Sequence, residues 1–110
     1  LGKGEYLGEF EQIVLLALIK LGRNAYGMTI RREISKRTER EVSIGAVYTT
    51  LERMEKKGYV SSRIGDPTPE RGGRAKKYFK VEALGERALN DSREALLKMG
   101  LILKPLVGTG

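Results

Sequence analysis

At 110 residues the chain has room for one hydrophobic core and not for two. It contains no cysteine, which excludes disulfides, thiolate zinc sites and cysteine nucleophiles, and no histidine, which removes the commonest general base and transition-metal ligand. Catalysis would have to run on carboxylates, lysine or tyrosine alone, so the composition argues against an enzyme, and neither a cofactor nor a metal is expected.

The net charge of +7 is unevenly placed. From Arg31 to Lys80 there are 14 basic and 7 acidic residues, whereas the rest of the chain carries 7 of each. The whole excess therefore falls in the middle, as in a polyanion-binding surface flanked by structural or self-associating segments; on charge alone a solvated basic face is an equal reading. The longest apolar run, Ile13 to Ile19, is about a third of what a bilayer span needs. No basic region followed by an apolar core and cleavage site opens the chain. A cytoplasmic, nucleoid-associated protein with no membrane partner is expected.

Leu7, Phe10, Ile13, Val14, Ala17, Leu18 and Leu21 recur at helical spacing and predict a first helix from Leu7 to Leu21, stopped by Gly22. Leu15, Leu16 and Ile19 make it apolar around most of its circumference, so it needs cover on two sides. Tyr26, Ile30 and Ile34 define a second helix, Tyr26 to Arg37, followed by a polar connection. Ser43 is a good N-cap for the third helix, with Val42 placed to staple onto Val47; the helix runs to Lys57 and ends at Gly58.

Beyond Gly58 the period changes towards two. Tyr59, Val60 and Ile64 favour one short strand, and Tyr78, Phe79 and Val81 favour a second that starts near Ala75. The ten residues between Gly65 and Arg74 include two prolines and three glycines, an extended hairpin tip. A last helix from about Glu82 carries Leu84, Ala88, Leu89, Ser92, Ala95, Leu96 and Met99 along one side, with Gly100 and Pro105 leaving its end open.

Helix, helix, helix, strand, long basic hairpin, strand, helix is the order of a winged helix-turn-helix: mainly α, with a three-helix core, a small two-stranded β-wing and a C-terminal dimerisation helix. Residues 7–81 would form the DNA-binding domain, 82–104 the dimerisation helix and 105–110 a flexible tail. With about 100° per residue and Val47 at zero, Leu51 and Met54 fall on the core side of the third helix. Gly45, Thr49, Glu52, Arg53 and Lys56 fall opposite, facing the groove, with Tyr48 straddling core and surface.

Gly45 costs helix stability but would let the helix N-terminus approach a duplex closely. Thr49 suits a base edge or thymine methyl, and Arg53 a guanine or a phosphate. Glu52 can accept from cytosine or pair with Lys56. Ser43, Gly45, Tyr48, Thr49 and Arg53 are thus the candidate readers. In the wing, Arg71, Gly72, Arg74, Lys76 and Lys77 suit a minor groove and phosphates. The other readings are a solvated hairpin and a protein-interaction or dimerisation module whose basic surface meets an acidic partner.

Leu7-Gly8-Glu9-Phe10-Glu11, Ala25-Tyr26-Gly27, Ser43-Ile44-Gly45-Ala46-Val47-Tyr48-Thr49-Thr50-Leu51, and the run from Pro67 to Phe79 with its Gly72-Gly73-Arg74-Ala75-Lys76-Lys77-Tyr78-Phe79 ending resemble the PadR family of bacterial transcriptional regulators. The likeness extends from Leu7 to about Leu89. It implies a homodimeric repressor on a palindromic double-stranded DNA operator, the last helix of each subunit packing on the first and last helices of its partner. Phe10, Val14, Leu89, Leu96 and Met99 would then serve dimerisation. It also implies release of DNA by a small hydrophobic or phenolic effector, as in some members. The chain has no tryptophan, so an effector sandwich between paired tryptophans does not carry over.

Overall fold

The computed structural model describes residues 6–65 and 75–100. Helix α1 (Glu9–Leu21) starts two residues later than the periodicity suggests, because Glu11 turns back to accept the Gly8 N–H at 2.9 Å and fixes the helix start there. It ends at Gly22, whose φ of 60° only glycine adopts easily. A 3-10 turn, Gly22–Asn24, leads to α2 (Gly27–Thr38). Tyr26, expected as the first helical residue, is instead the N-cap, its N–H donating to Thr29 Oγ1 at 3.0 Å.

Helix α3 (Ile44–Lys56) opens as expected: Ser43 Oγ accepts the Ala46 N–H at 3.0 Å, and Val42 packs half-buried against the core. Gly58, at φ 82°, turns the chain into β1 (Val60–Ile64). Strand β2 (Lys77–Val81) pairs with it antiparallel, Ser62 opposite Phe79, and the ladder continues where the Gly65 N–H donates to the Lys76 carbonyl at 2.8 Å. The other side of β2 meets the segment between α1 and α2: the Phe79 N–H donates to the Ala25 carbonyl at 2.9 Å, and Tyr26 bridges Tyr78. Helix α4 (Ala83–Lys98) completes the described chain. The tip from 66 to 74 and the stretch from 101 to 110, which includes the expected tail, lie outside the described residues.

Helix α1 is the hub, touching α2, α3, β2 and α4. Val14, Leu15 and Leu18 meet Ile30 and Ile34 of α2, Val47, Leu51 and Met54 of α3, Phe79 of β2, and Ala88 and Leu89 of α4 in one buried cluster. Buried Ser92 of α4 ties down the N-terminal segment by accepting the Leu7 N–H and donating to the Ala88 carbonyl, both at 2.9 Å. Ser92→Ala strands the Leu7 N–H away from water, and a loss of about 1–3 kcal/mol is expected. Urea denaturation measures it; a loss below about 0.5 kcal/mol would mean that Leu7 finds another partner.

Candidate nucleic-acid interface

Helix α3 divides as its spacing predicts. Val47, Leu51 and Met54 are buried, joined by Thr50, and the opposite side exposes Gly45, Thr49, Glu52, Arg53 and Lys56. Ser43, also exposed, spends a lone pair on the cap but keeps its hydroxyl proton for an incoming acceptor. A Cβ built on Gly45 would meet only Ser43 Oγ, at 4.0 Å, so Gly45 in the first turn of α3 faces open space. Glu52 and Lys56 stay exposed and do not pair with each other.

Tyr48 is decided in part by Gly27. Its ring lies across the first residue of α2, where a Cβ would fall 2.4 Å from Tyr48 Oη; only glycine permits this approach. The ring thus braces α3 against α2, while the residue remains 39% exposed beside the N-terminus of α2.

Arg53 is not free to swing. Its Nε donates to Glu11 Oε2 of α1 at 3.1 Å, the Glu11 side chain being only 13% exposed. Arg40, after α2, pairs with Glu9 at 2.9 Å on the surface. Arg31 Nε, donating to the Val42 carbonyl at 3.0 Å, holds the chain between α2 and α3. Partial burial would raise the Glu11 pKa, but the Gly8 N–H, Arg53 and Lys57 outweigh it and hold the carboxyl below its ordinary 4.5. A depressed folded-state pKa gives stability that is complete above the ordinary value and lost as pH falls through the lowered one. On acidification below pH 4.5 the wild type should therefore lose more stability than Glu11→Gln, which urea denaturation across that range will measure.

At the base of the wing the expected lysines part company. Lys76 is 7% exposed, with Nζ 5.1 Å from the Tyr26 ring centroid, and the Tyr26 and Tyr78 rings meet edge-on at 5.4 Å. The expected phosphate-facing lysine is thus enclosed against an aromatic face, with less reach towards a duplex than its exposed neighbour Lys77. Lys77 is exposed and lies 3.8 Å from Glu55 of α3. Arg63 of β1, not singled out from sequence, stacks over Tyr78 at 4.6 Å and adds a cation to the wing base. Arg71, Gly72 and Arg74 lie outside the described residues.

The expected dimer contacts also divide. Val14 and Leu89 are buried in the chain's own core, and Phe10 is half-buried against that core. Leu96 and Met99 are exposed, Met99 at 86%, together with Leu16 and Ile19 of α1 and Leu97 of α4. Among the described residues no cluster of acidic side chains could hold a metal ion, and no helix is long and apolar enough to cross a membrane.

Residues 15–91 match the model of the Transcriptional regulator PadR-like family. The chain belongs to the PadR-like family. As a PadR-like protein it is a DNA-binding transcriptional regulator. Among solved structures, RosR of H. salinarum is 26% identical with a TM-score of 0.65, covering 89% of this chain and 81% of its own. A PadR-like transcription factor of Bacteroides fragilis is 23% identical with a TM-score of 0.68, covering 82% of each chain. A PadR family regulator of Clostridium difficile is 21% identical with a TM-score of 0.65, covering 82% of this chain and 90% of its own. The last two likenesses carry the fold alone. No curated protein matches in sequence.

Proposed function

We propose that this PadR-like protein binds a palindromic operator as a homodimer and represses transcription from it. The observation that carries the reading is the open face of α3, where Gly45, Thr49, Arg53 and Lys56 stand exposed opposite a fully buried stripe. Each subunit would lay this face in the major groove of one half-site, with Ser43, Gly45, Tyr48 and Thr49 nearest the bases and half-site centres about one helical turn apart. Arg71, Gly72 and Arg74 would address the minor groove, and Lys77 a phosphate. The exposed apolar residues Leu16, Ile19, Leu96, Leu97 and Met99 support a partner subunit on α1 and α4.

A small hydrophobic or phenolic effector that releases DNA belongs to the same reading. The open groove of about 700 Å³ between the end of α1, the sheet and the start of α4 suits such a molecule, with Leu18, Ile19 and Phe79 as apolar lining and Arg23 and Arg63 as cations.

Selection of bound sequences from random duplex DNA tests the proposal: an inverted repeat should emerge, and affinity should fall with salt at a slope of about −0.9 per neutralised phosphate. Absence of binding at low salt, or a flat salt response, would sink it. If Arg71→Ala with Arg74→Ala left the cellular function intact, an acidic protein partner would become the better account of the basic surface; loss of operator occupancy in the double variant would count against that account.

A further inference from the structure

We propose that Glu11 is a positioning residue for Arg53, holding the guanidinium by Nε so that its two Nη groups address a DNA phosphate at the rim of the major groove instead of a base. The proposal rests on the reading that α3 faces DNA.

The Glu11 carboxylate is itself fixed. One oxygen accepts the Gly8 backbone N–H at 2.9 Å, the other accepts Arg53 Nε–H at 3.1 Å, and α1 packs directly on α3. A guanidinium has five N–H donors, of which this bond uses one. The four on the Nη groups donate to no described residue, and the Arg53 side chain is 47% exposed. Its anchored end therefore faces the protein and its free end faces solvent.

Direction follows from the helix geometry. Arg53 sits about 240° round from Val47, on the flank of α3, whereas Gly45, Lys56 and Thr49 occupy the middle of the exposed face at about 160–200°. The Glu11 tether draws the head further towards α1 and away from the groove floor. A donor pair standing at the groove wall meets the sugar-phosphate backbone, and a phosphate accepts both Nη groups in the planar geometry that arginine favours. Holding the long side chain in place beforehand also reduces the rotamer entropy lost on binding. The Arg40–Glu9 pair lacks this construction, because Glu9 is 74% exposed and has no second anchor.

The test is a double-mutant cycle with the full chain on the selected operator and on an unrelated duplex, each over a salt series. Glu11→Gln keeps one oxygen for the Gly8 N–H but turns an amide N–H towards Arg53, which releases the tether. Arg53→Ala should weaken both duplexes by a similar factor, about tenfold, and reduce the salt slope by about one unit. Glu11→Gln should weaken binding in the same direction, and the double variant should be no worse than Arg53→Ala alone. Tighter binding by Glu11→Gln would mean that the carboxylate merely competes with phosphate, and would overturn the proposal. Additive losses would overturn it too, as would an Arg53→Ala effect confined to the operator.

The wild type supplies a readout independent of variant folding. The Arg53 Nε–Hε NMR signal should stay protected from exchange with and without DNA while the Nη signals shift on binding; loss of Nε protection in the complex refutes the tether. Failure of the wild type to bind any duplex would count against the functional reading itself. Binding without coupling between Glu11 and Arg53 would count against this inference alone.

Discussion

Gly85→Ala should cost about 3 kcal/mol of stability, although a single methyl is added to a helix that would ordinarily gain from it. A Cβ at that position would stand 2.3 Å from the Tyr59 carbonyl oxygen and 3.2 Å from a Val81 methyl. The oxygen cannot retreat, because it accepts the Glu82 N–H at 2.9 Å and the Tyr59 side chain is buried. The remaining response is for α4 to move outward, which opens the packing around Ala88 and Leu89. Guanidinium denaturation should report the loss as a lower midpoint at unchanged slope. A variant as stable as the wild type would mean that the close approach of α4 to the start of β1 is not maintained in solution.

Gly45→Glu should move stability and DNA binding in opposite directions. The site is open, replacement of a helical glycine gains up to about 1 kcal/mol, and an acid in the first turn gains a few tenths more from the helix dipole, so the melting temperature should rise. The same carboxylate would stand where the proposed complex brings phosphates and base edges closest to α3. Affinity for the operator should fall by roughly a hundredfold or more at moderate salt, through like charge and lost approach together. Gly45→Ala separates the two causes, since it fills space without charge and should lose less. An operator affinity unchanged by glutamate would remove the first turn of α3 from the interface.

The division of α3 into a buried and an open face was legible from spacing alone, because Val47, Leu51 and Met54 recur at the helical period on one side while Thr49, Glu52, Arg53 and Lys56 recur at the same period on the other. Ser43 and Gly58 marked the helix ends for equally local reasons. Long-range pairings left no such trace: Glu11 and Arg53 are 42 residues apart, and nothing in either helix's pattern shows that one carboxylate serves both a cap and an arginine. Helix α1 is apolar nearly all round, so periodicity could not tell the stripe that fills the chain's own core, Val14 included, from the one left exposed at Leu16 and Ile19. The enclosure of Lys76 was hidden for a related reason. A lysine beside a glycine-rich tip reads as solvated, and only the tertiary placement of the Tyr26 ring reveals the aromatic face that encloses it.

The bridge from Ala25 and Tyr26 to β2 bears on how the protein avoids sticking to itself. A two-stranded hairpin would leave both outer rows of backbone donors and acceptors open to strand addition by another chain. Here the Phe79 N–H is already bound to Ala25, which caps the row on the β2 side. Among the described residues the outer row of β1 has no such backbone partner, and this strand of five residues carries Arg63; shortness and charge both discourage edge-to-edge aggregation.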